Sequence, residues 1–178
     1  KITKKTKAII PVNLYGQSAN YDAIKKIARK HNLKIIEDCA QSAGTMYKNK
    51  PSGSFGDLAA FSFYPTKNLG GYGDGGMIVT NKKNLYEKSK KLRKYGMTKL
   101  YYSEEHGINS RLDEIQAAIL NFQLKKLESN IAKRRKIAKI YNENLKTKDL
   151  FLPIENKDNY HSYYVYVVRH PQRNKIMK

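Results

Sequence analysis

The apolar positions of this chain change period several times, and each change predicts an element. Ala8–Leu14 is a continuous apolar, β-branched run that Gly16 interrupts, which predicts a buried strand closed by a turn. From Ser18 the period becomes helical. Ile24, Ile27 and Ala28 share one face, Ser18 or Asn20 offers an N-cap, and Asn32 offers a left-handed stop. Lys34–Glu37 predicts a second strand and leaves Asp38 at its carboxyl end. Strand, helix and strand in that order predict a parallel crossover unit, so the fold class is α/β with a mostly parallel sheet. Ligands of such sheets bind beyond the carboxyl ends of the strands, where Asp38, Gln41 and the following loop then lie.

Further along, Leu58–Phe63 predicts a buried strand ending near Ser62, and Met77–Thr80 a short one. Lys83–Lys94 predicts a surface helix with Leu85, Tyr86 and Leu92 on its apolar side. Leu112, Ile115, Ala118, Ile119, Phe122 and Leu127 recur at helical spacing within Arg111–Leu127. Asn130–Leu145 continues as a second helix or a kinked extension, without Gly or Pro. Lys146–Asn159 is polar, contains Pro153 and predicts a connection, and the tyrosine- and valine-rich Tyr163–Val168 predicts a strand. The shift from α/β order to long helices predicts a domain change near Gln123–Ser129, which divides the chain into 1–122 and 123–178.

Composition narrows the class. At 178 residues and 40% hydrophobic content the chain can bury a core and is not of disordered composition. No run reaches the roughly 20 apolar residues of a membrane helix, so no membrane partner is expected. One cysteine, Cys39, cannot form an internal disulfide; it fits a reducing cytoplasm and does not suggest a metal site. A net charge of +20, from 35 basic and 15 acidic residues, raises nucleic-acid binding as an alternative. The distribution argues against it, because the lysines are spread along helix surfaces and only Lys133-Arg134-Arg135-Lys136 is clustered. The chain begins at Lys1 and ends without an obvious terminal element, which suggests a piece of a longer protein.

The candidate chemistry centres on Lys67. A lone lysine here is most simply a solvated surface group, but Lys67 follows an apolar strand and Pro65 and precedes Gly70, Gly71, Gly73, Gly75 and Gly76. A glycine-rich loop lets backbone approach a ligand closely. Taken singly, Asp38 reads equally well as a turn cap, Ser62 as a hydroxyl bonded to backbone, Gln41 as a loop residue and Asn109 as a turn or cap before Arg111. Together they belong to a longer pattern. The segments are Pro11–Gln17, Glu37–Gly44, Gly53–Asp57, Ser62–Gly70, Gly73–Gly76 and Gly107–Ala118. In that order they resemble the DegT/DnrJ/EryC1/StrS family of pyridoxal-phosphate-dependent sugar aminotransferases, over essentially the whole chain.

The resemblance implies a type I PLP-dependent transferase (aspartate aminotransferase-like) fold: part of the PLP-binding large domain over 1–122 and the start of a small C-terminal domain over 123–178. It implies pyridoxal 5'-phosphate as cofactor, with Lys67 as the catalytic Schiff-base lysine and Asp38 paired with the pyridine nitrogen. By the same resemblance Gln41 lies near the ring, Ser62 binds the phosphate, and Asn109 reaches the phosphate in a neighbouring subunit of a homodimer with shared sites. The reaction implied is transfer of an amino group, usually from glutamate, to a nucleotide-linked keto-sugar in amino-sugar or surface-glycan synthesis. Related dehydratases carry histidine where Lys67 stands, so lysine favours aminotransfer. Two departures stand out: Asn13 replaces a histidine common in relatives, which suggests a role in substrate choice, and the family's N-terminal part is absent, so the chain by itself is expected to be inactive.

Overall fold

The computed structural model describes residues 1–145 and 147–177. Its centre is a four-stranded sheet in the order β1 (Ala8–Ile9), β2 (Lys34–Asp38), β5 (Leu58–Ser62) and β6 (Gly76–Val79). The first three strands run parallel and β6 is antiparallel to β5, so the sheet is mostly parallel, as expected. Helix α1 (Tyr21–Lys30) makes the crossover from β1 to β2. The Asn20 side chain caps it by accepting from the Ala23 N–H at 3.1 Å, and Asn32 ends it at φ 51°. α1 lies on one face of the sheet. Tyr21, Ala28, Leu33, Ile35 and Tyr47 form the first core, with Phe55 stacked on Tyr21 at 4.5 Å. Full burial of a ring this size contributes about 2–3 kcal/mol.

The two faces of the sheet differ. Ile35, Glu37, Cys39 and Ala59 are buried, whereas Ile36, Asp38 and Ala60 alternate with them on a face left open. On that open face Ile10 is 62% exposed and Ile78, the partner of Ala60, is 59% exposed. Asp38 therefore opens onto the accessible side of the sheet.

A second core sits where the loop after β5 meets the long helices. Phe63 and Leu69 pack with Leu120 of α3 (Glu114–Leu124) and with Leu127 and Ile131 of α4 (Leu127–Asn144). Helix α2 (Lys83–Leu92) and the small ladder of β7 (Met97–Lys99) with β8 (Tyr102–Ser103) stand between β6 and α3. β3 (Met46–Tyr47) pairs with β4 (Lys50–Pro51) and with β9 (Asn159–Tyr160), tying the last part of the chain to the first. A short helix, α5 (Arg173–Ile176), closes the described residues.

Several expected elements change. The strand expected over Ala8–Leu14 pairs as a ladder only at Ala8–Ile9, with one more bridge from Val12 to Asp38, because Pro11 has no N–H to donate. Leu14–Gly16 is a 3-10 turn instead, with Tyr15 at φ 61°. The α3 helix is shorter than Arg111–Leu127, and α4 begins earlier than Asn130. No strand forms over Tyr163–Val168. Tyr163 turns to φ 45°, and its carbonyl and that of Tyr164 accept from Arg134 Nη1 at 3.3 and 3.2 Å, where a neighbouring strand would bond. Only Arg169 bridges, to Phe151. Within the expected connection Lys146–Asn159, Lys146 lies outside the described residues.

Candidate active site

Main-chain bonds lock the carboxyl end of β2. The Asp38 N–H donates to the Pro11 carbonyl at 2.9 Å, its carbonyl accepts from Asn13 N at 3.0 Å, and Cys39 N donates to the Ala60 carbonyl at 2.9 Å. Asp38 Oδ1 accepts from Ala40 N at 3.0 Å, so the carboxylate is aimed by its own turn. Asp38 pairs with Ala60, and Ser62 lies two residues on, so the three side chains share the open face. Among the described residues Ser62 Oγ accepts one long bond, from Tyr64 N at 3.4 Å, which leaves the hydroxyl able to serve a ligand.

Lys67 stands in the loop that leaves β5. That loop closes on itself: Lys67 N donates to Tyr64 O at 2.9 Å, Phe63 N to Gly75 O at 2.7 Å, and Gly71 N to Phe63 O at 2.8 Å. Gly70 is required there, because a Cβ would meet the Pro65 carbonyl oxygen at 2.6 Å. Gln116 of α3 accepts from Tyr72 N at 2.8 Å and pins the far side of the loop. Lys67 is half-buried, and its Nζ lies 4.7 Å from the centre of the Tyr164 ring. Thr66 Oγ1 reaches the Tyr164 hydroxyl at 3.4 Å. The Thr66 hydrogen bond first, and then Lys67, hold that hydroxyl below the usual tyrosine range.

Gln41 leaves the end of β2, and its Oε1 accepts from Tyr15 N at 2.7 Å, which fixes the left-handed turn after β1 beside Asp38. Asn109 is elsewhere. It is exposed, bridges to Lys94 and accepts from Arg111 Nε at 2.9 Å; among the described residues it shares no hydrogen bond with Asp38, Ser62 or Lys67. The fold thus carries Asp38, Gln41, Ser62 and Lys67 on the carboxyl ends of β2 and β5 and the loops leaving them, and leaves Asn109 apart.

Asn13 does not face this group. It is fully buried on the covered side, where Oδ1 accepts from Ala19 N and the Tyr21 hydroxyl, both at 3.0 Å, and Nδ2 approaches Cys39 Sγ at 3.4 Å. Its role is to hold the entry to α1, which does not support the expected role in substrate choice. Next to it, Glu37 is also fully buried. It accepts from Gly53 N at 2.8 Å, Phe55 N at 2.5 Å and Gly56 N at 2.6 Å, and so staples the β4–β5 loop to β2.

Sequence reasoning missed Tyr164 and a cavity of about 450 Å³ beside Lys67, lined by Lys67, Asn68, Gln123, Asn130, Lys133 and Arg134. The helical spacing of Asn130, Lys133, Arg134 and Ile137 was the available signal. The same fold splits the basic cluster: Lys133 and Arg134 face the cavity, whereas Arg135 forms a two-pronged pair with Glu155 at 2.7 and 3.1 Å. Burial pushes the Glu155 carboxyl up, but Arg135 and the His161 N–H together hold it below its usual range.

A carboxylate and a hydroxyl at neighbouring strand ends, with an amine in the following loop, form a donor set that fits pyridoxal phosphate: an acid for the ring nitrogen, a donor for the phosphate and an amine for the aldehyde. The small Ala60 between Asp38 and Ser62 leaves the sheet surface clear.

The chain is similar to known proteins along nearly its whole length. The chain is 46% identical to a dTDP-3-amino-3,4,6-trideoxy-alpha-D-glucose transaminase of Micromonospora megalomicea subsp. nigra, over 99% of the chain and 49% of that protein. It is 44% identical to a UDP-2-acetamido-2-deoxy-3-oxo-D-glucuronate aminotransferase of Pseudomonas aeruginosa, over 98% of the chain and 49% of that protein. Its fold superposes on the crystal structure of S. venezuelae DesV in complex with a ketimine intermediate with a TM-score of 0.95, at 41% identity, over 98% of the chain and 47% of DesV. The chain spans about half the length of the curated relatives it matches. A sequence model of the DegT/DnrJ/EryC1/StrS aminotransferase family matches residues 1–178, and this chain belongs to that family.

Proposed function

We propose that this chain is the lysine-bearing portion of a pyridoxal-phosphate-dependent aminotransferase that moves an amino group, from a donor such as glutamate, onto a nucleotide-linked keto-sugar for amino-sugar or surface-glycan synthesis. The observation that carries the reading is the shared placement of Asp38 and Ser62 on one open sheet face, with Lys67 in the loop that follows.

Pyridoxal phosphate, when bound, supplies a ring that withdraws electrons from the amino-bearing carbon. Asp38 would keep a proton on the pyridine nitrogen, since a carboxylate favours the charged form of its partner. Ser62 Oγ would donate to the phosphate, and Gln41 would stand by the ring. Lys67 Nζ would hold the cofactor and, once released, carry the proton between the two carbons involved in the transfer. Tyr164 would keep that amine in place while it is not bound to the cofactor. Asn109, exposed and apart, would complete the site of a second copy, which makes the working unit a homodimer. The break between α3 and α4 at Lys125–Lys126 supports a boundary between a large domain over 1–122 and the start of a small one over 123–178. A cytoplasmic setting is inferred from the single free cysteine.

The test is a visible absorbance band in the full-length protein supplied with cofactor. It should disappear on borohydride reduction and in Lys67→Ala; no band in the unaltered protein sinks the reading.

A further inference from the structure

Tyr15 and Tyr163 both stand in the left-handed region, at φ 61° and 45°, and their chain neighbours Gly16 and Ser162 meet inside the protein. Non-glycine residues held in that region persist only where their surroundings over-determine them. Here the surroundings are a closed set of buried hydrogen bonds. Ser162 N donates to the Gly16 carbonyl at 2.8 Å, and Thr45 Oγ1 donates to the same carbonyl at 2.8 Å. That spends the one proton of the Thr45 hydroxyl, so Ser162 Oγ is the donor in the 2.9 Å bond between the two hydroxyls. Thr45 and Ser162 are fully buried. Thr45 is itself fixed, since its N–H donates to Ser42 O at 3.0 Å and its carbonyl accepts from Ser52 N at 2.9 Å. Gly16 leaves no slack: a Cβ there would collide with Ser162 Oγ and lie 2.9 Å from Tyr164 N.

This node joins two parts of the candidate site that lie far apart in the chain. On one side, Tyr15 N donates to Gln41 Oε1 at 2.7 Å, beside the end of β2. On the other, Tyr164 stands two residues beyond Ser162 with its ring 4.7 Å from Lys67 Nζ, and Arg134 Nη1 holds the Tyr163 and Tyr164 carbonyls. Among the described residues neither Thr45 nor Ser162 shares a side-chain hydrogen bond with Asp38, Gln41, Ser62 or Lys67. They act on the amine through the backbone they fix.

We propose that Thr45 and Ser162 are positioning residues for Lys67: their bonds at the Gly16 carbonyl set the Tyr164 ring over the amine. The inference rests on the aminotransferase reading for the use made of Lys67, and not for the contact itself. Loss of the Thr45 hydroxyl loosens Ser162 and, with it, the ring. A freed amine is more open to a reagent that needs only access, and is less often in the one place where a bound cofactor must meet it.

The experiment is brief acetylation of the cofactor-free, full-length protein with acetic anhydride. Labelling of Lys67 is read by mass spectrometry against Lys136, which is exposed on α4. The proteins are the unaltered form, Thr45→Val, Thr45→Ser, Tyr164→Ala and the Thr45→Val, Tyr164→Ala double variant. Thr45→Val keeps the shape and loses the donor, while Gly16 O keeps the Ser162 N–H. Lys67 labelling should rise about two- to fivefold in Thr45→Val and in Tyr164→Ala, the size of one cation–ring contact. Thr45→Ser should match the unaltered protein. The double variant should match Tyr164→Ala alone, because both changes remove the same contact; effects that multiply overturn the proposal. So does Thr45→Val labelled like the unaltered protein, or an equal rise in Thr45→Val and Thr45→Ser. If Thr45→Val does not fold, Ser162→Ala removes the other hydroxyl and is held to the same outcomes. With cofactor added, the visible band should appear about two- to fivefold more slowly in Thr45→Val than in Thr45→Ser, and equal rates overturn the proposal. An unaltered protein that never shows the band sinks the aminotransferase reading alone, and the labelling still decides the positioning of Lys67.

Discussion

Lys67 Nζ rests 4.7 Å above the ring of Tyr164, a residue from the far end of the chain. The contact orients the amine proposed to hold the cofactor. A cation over a half-exposed ring gains about 0.5–1 kcal/mol. Tyr164→Ala should therefore slow the appearance of the visible band from cofactor-free protein about two- to fivefold. Tyr164→Phe, which keeps the ring, should stay near the unaltered rate. Equal slowing in both variants would show that the hydroxyl and its Thr66 contact matter, and not the ring.

Glu37 offers a sharper stability test. Its buried carboxylate accepts three backbone N–H groups from the Gly53–Gly56 loop. Glu37→Ala strands those donors, and the expected cost is on the order of 3–5 kcal/mol. Glu37→Gln keeps the shape and one acceptor oxygen but turns an N–H₂ toward a donor, for about 1–3 kcal/mol. Urea unfolding measures both. A loss below about 0.5 kcal/mol in Glu37→Ala would contradict the staple.

His161 makes stability depend on pH. Burial, above all, lowers its pKa from the ordinary 6.5 to about 4, and its Nδ1 accepts from Tyr163 N at 2.9 Å. The folded state thus favours the neutral ring, while the unfolded chain takes up a proton near pH 6.5. The contribution is complete above about pH 6.5 and is lost as pH falls toward about 4; its size is on the order of 3 kcal/mol. Unfolding followed between those pH values should show a steeper decline in the unaltered protein than in His161→Gln. Parallel curves would remove His161 from the account.

Cys39 should be inert while the protein is folded. The thiol is buried, and burial first, with the Glu37 charge adding to it, pushes its pKa up to about 12. Only the thiolate reacts with alkylating reagents. Iodoacetamide at neutral pH should leave Cys39 unmodified in the native protein and label it fully in denaturant, as read by mass spectrometry. Rapid native labelling would mean that the β2 end opens far more readily than its bonding implies.

Local pattern placed several of the candidate residues, and the family resemblance gave them their roles. A strand that ends at a carboxylate, and another that ends at a hydroxyl before a glycine-rich loop, already place Asp38 and Ser62 at strand ends and Lys67 in the loop that follows, because local pattern sets where a strand stops. The α1 cap and stop were legible for the same reason: Asn20 and Asn32 act on backbone within a few residues of themselves. Tyr163–Val168 was misread because alternation says only that a segment suits a pleated surface. A strand also needs a neighbour, and there Arg134 takes the carbonyls. Glu37 sits beside Asp38 in sequence yet faces the opposite, covered side of the sheet, as Asn13 does, and which face is covered depends on where α1 packs. The Tyr164 ring over Lys67, and the division of Lys133–Lys136 between a cavity and the Glu155 pair, arise from contacts between segments far apart in the chain. Short-range sterics and hydrogen bonding write themselves into local sequence; the partners of a side chain across the core do not, and only the packed fold decided them.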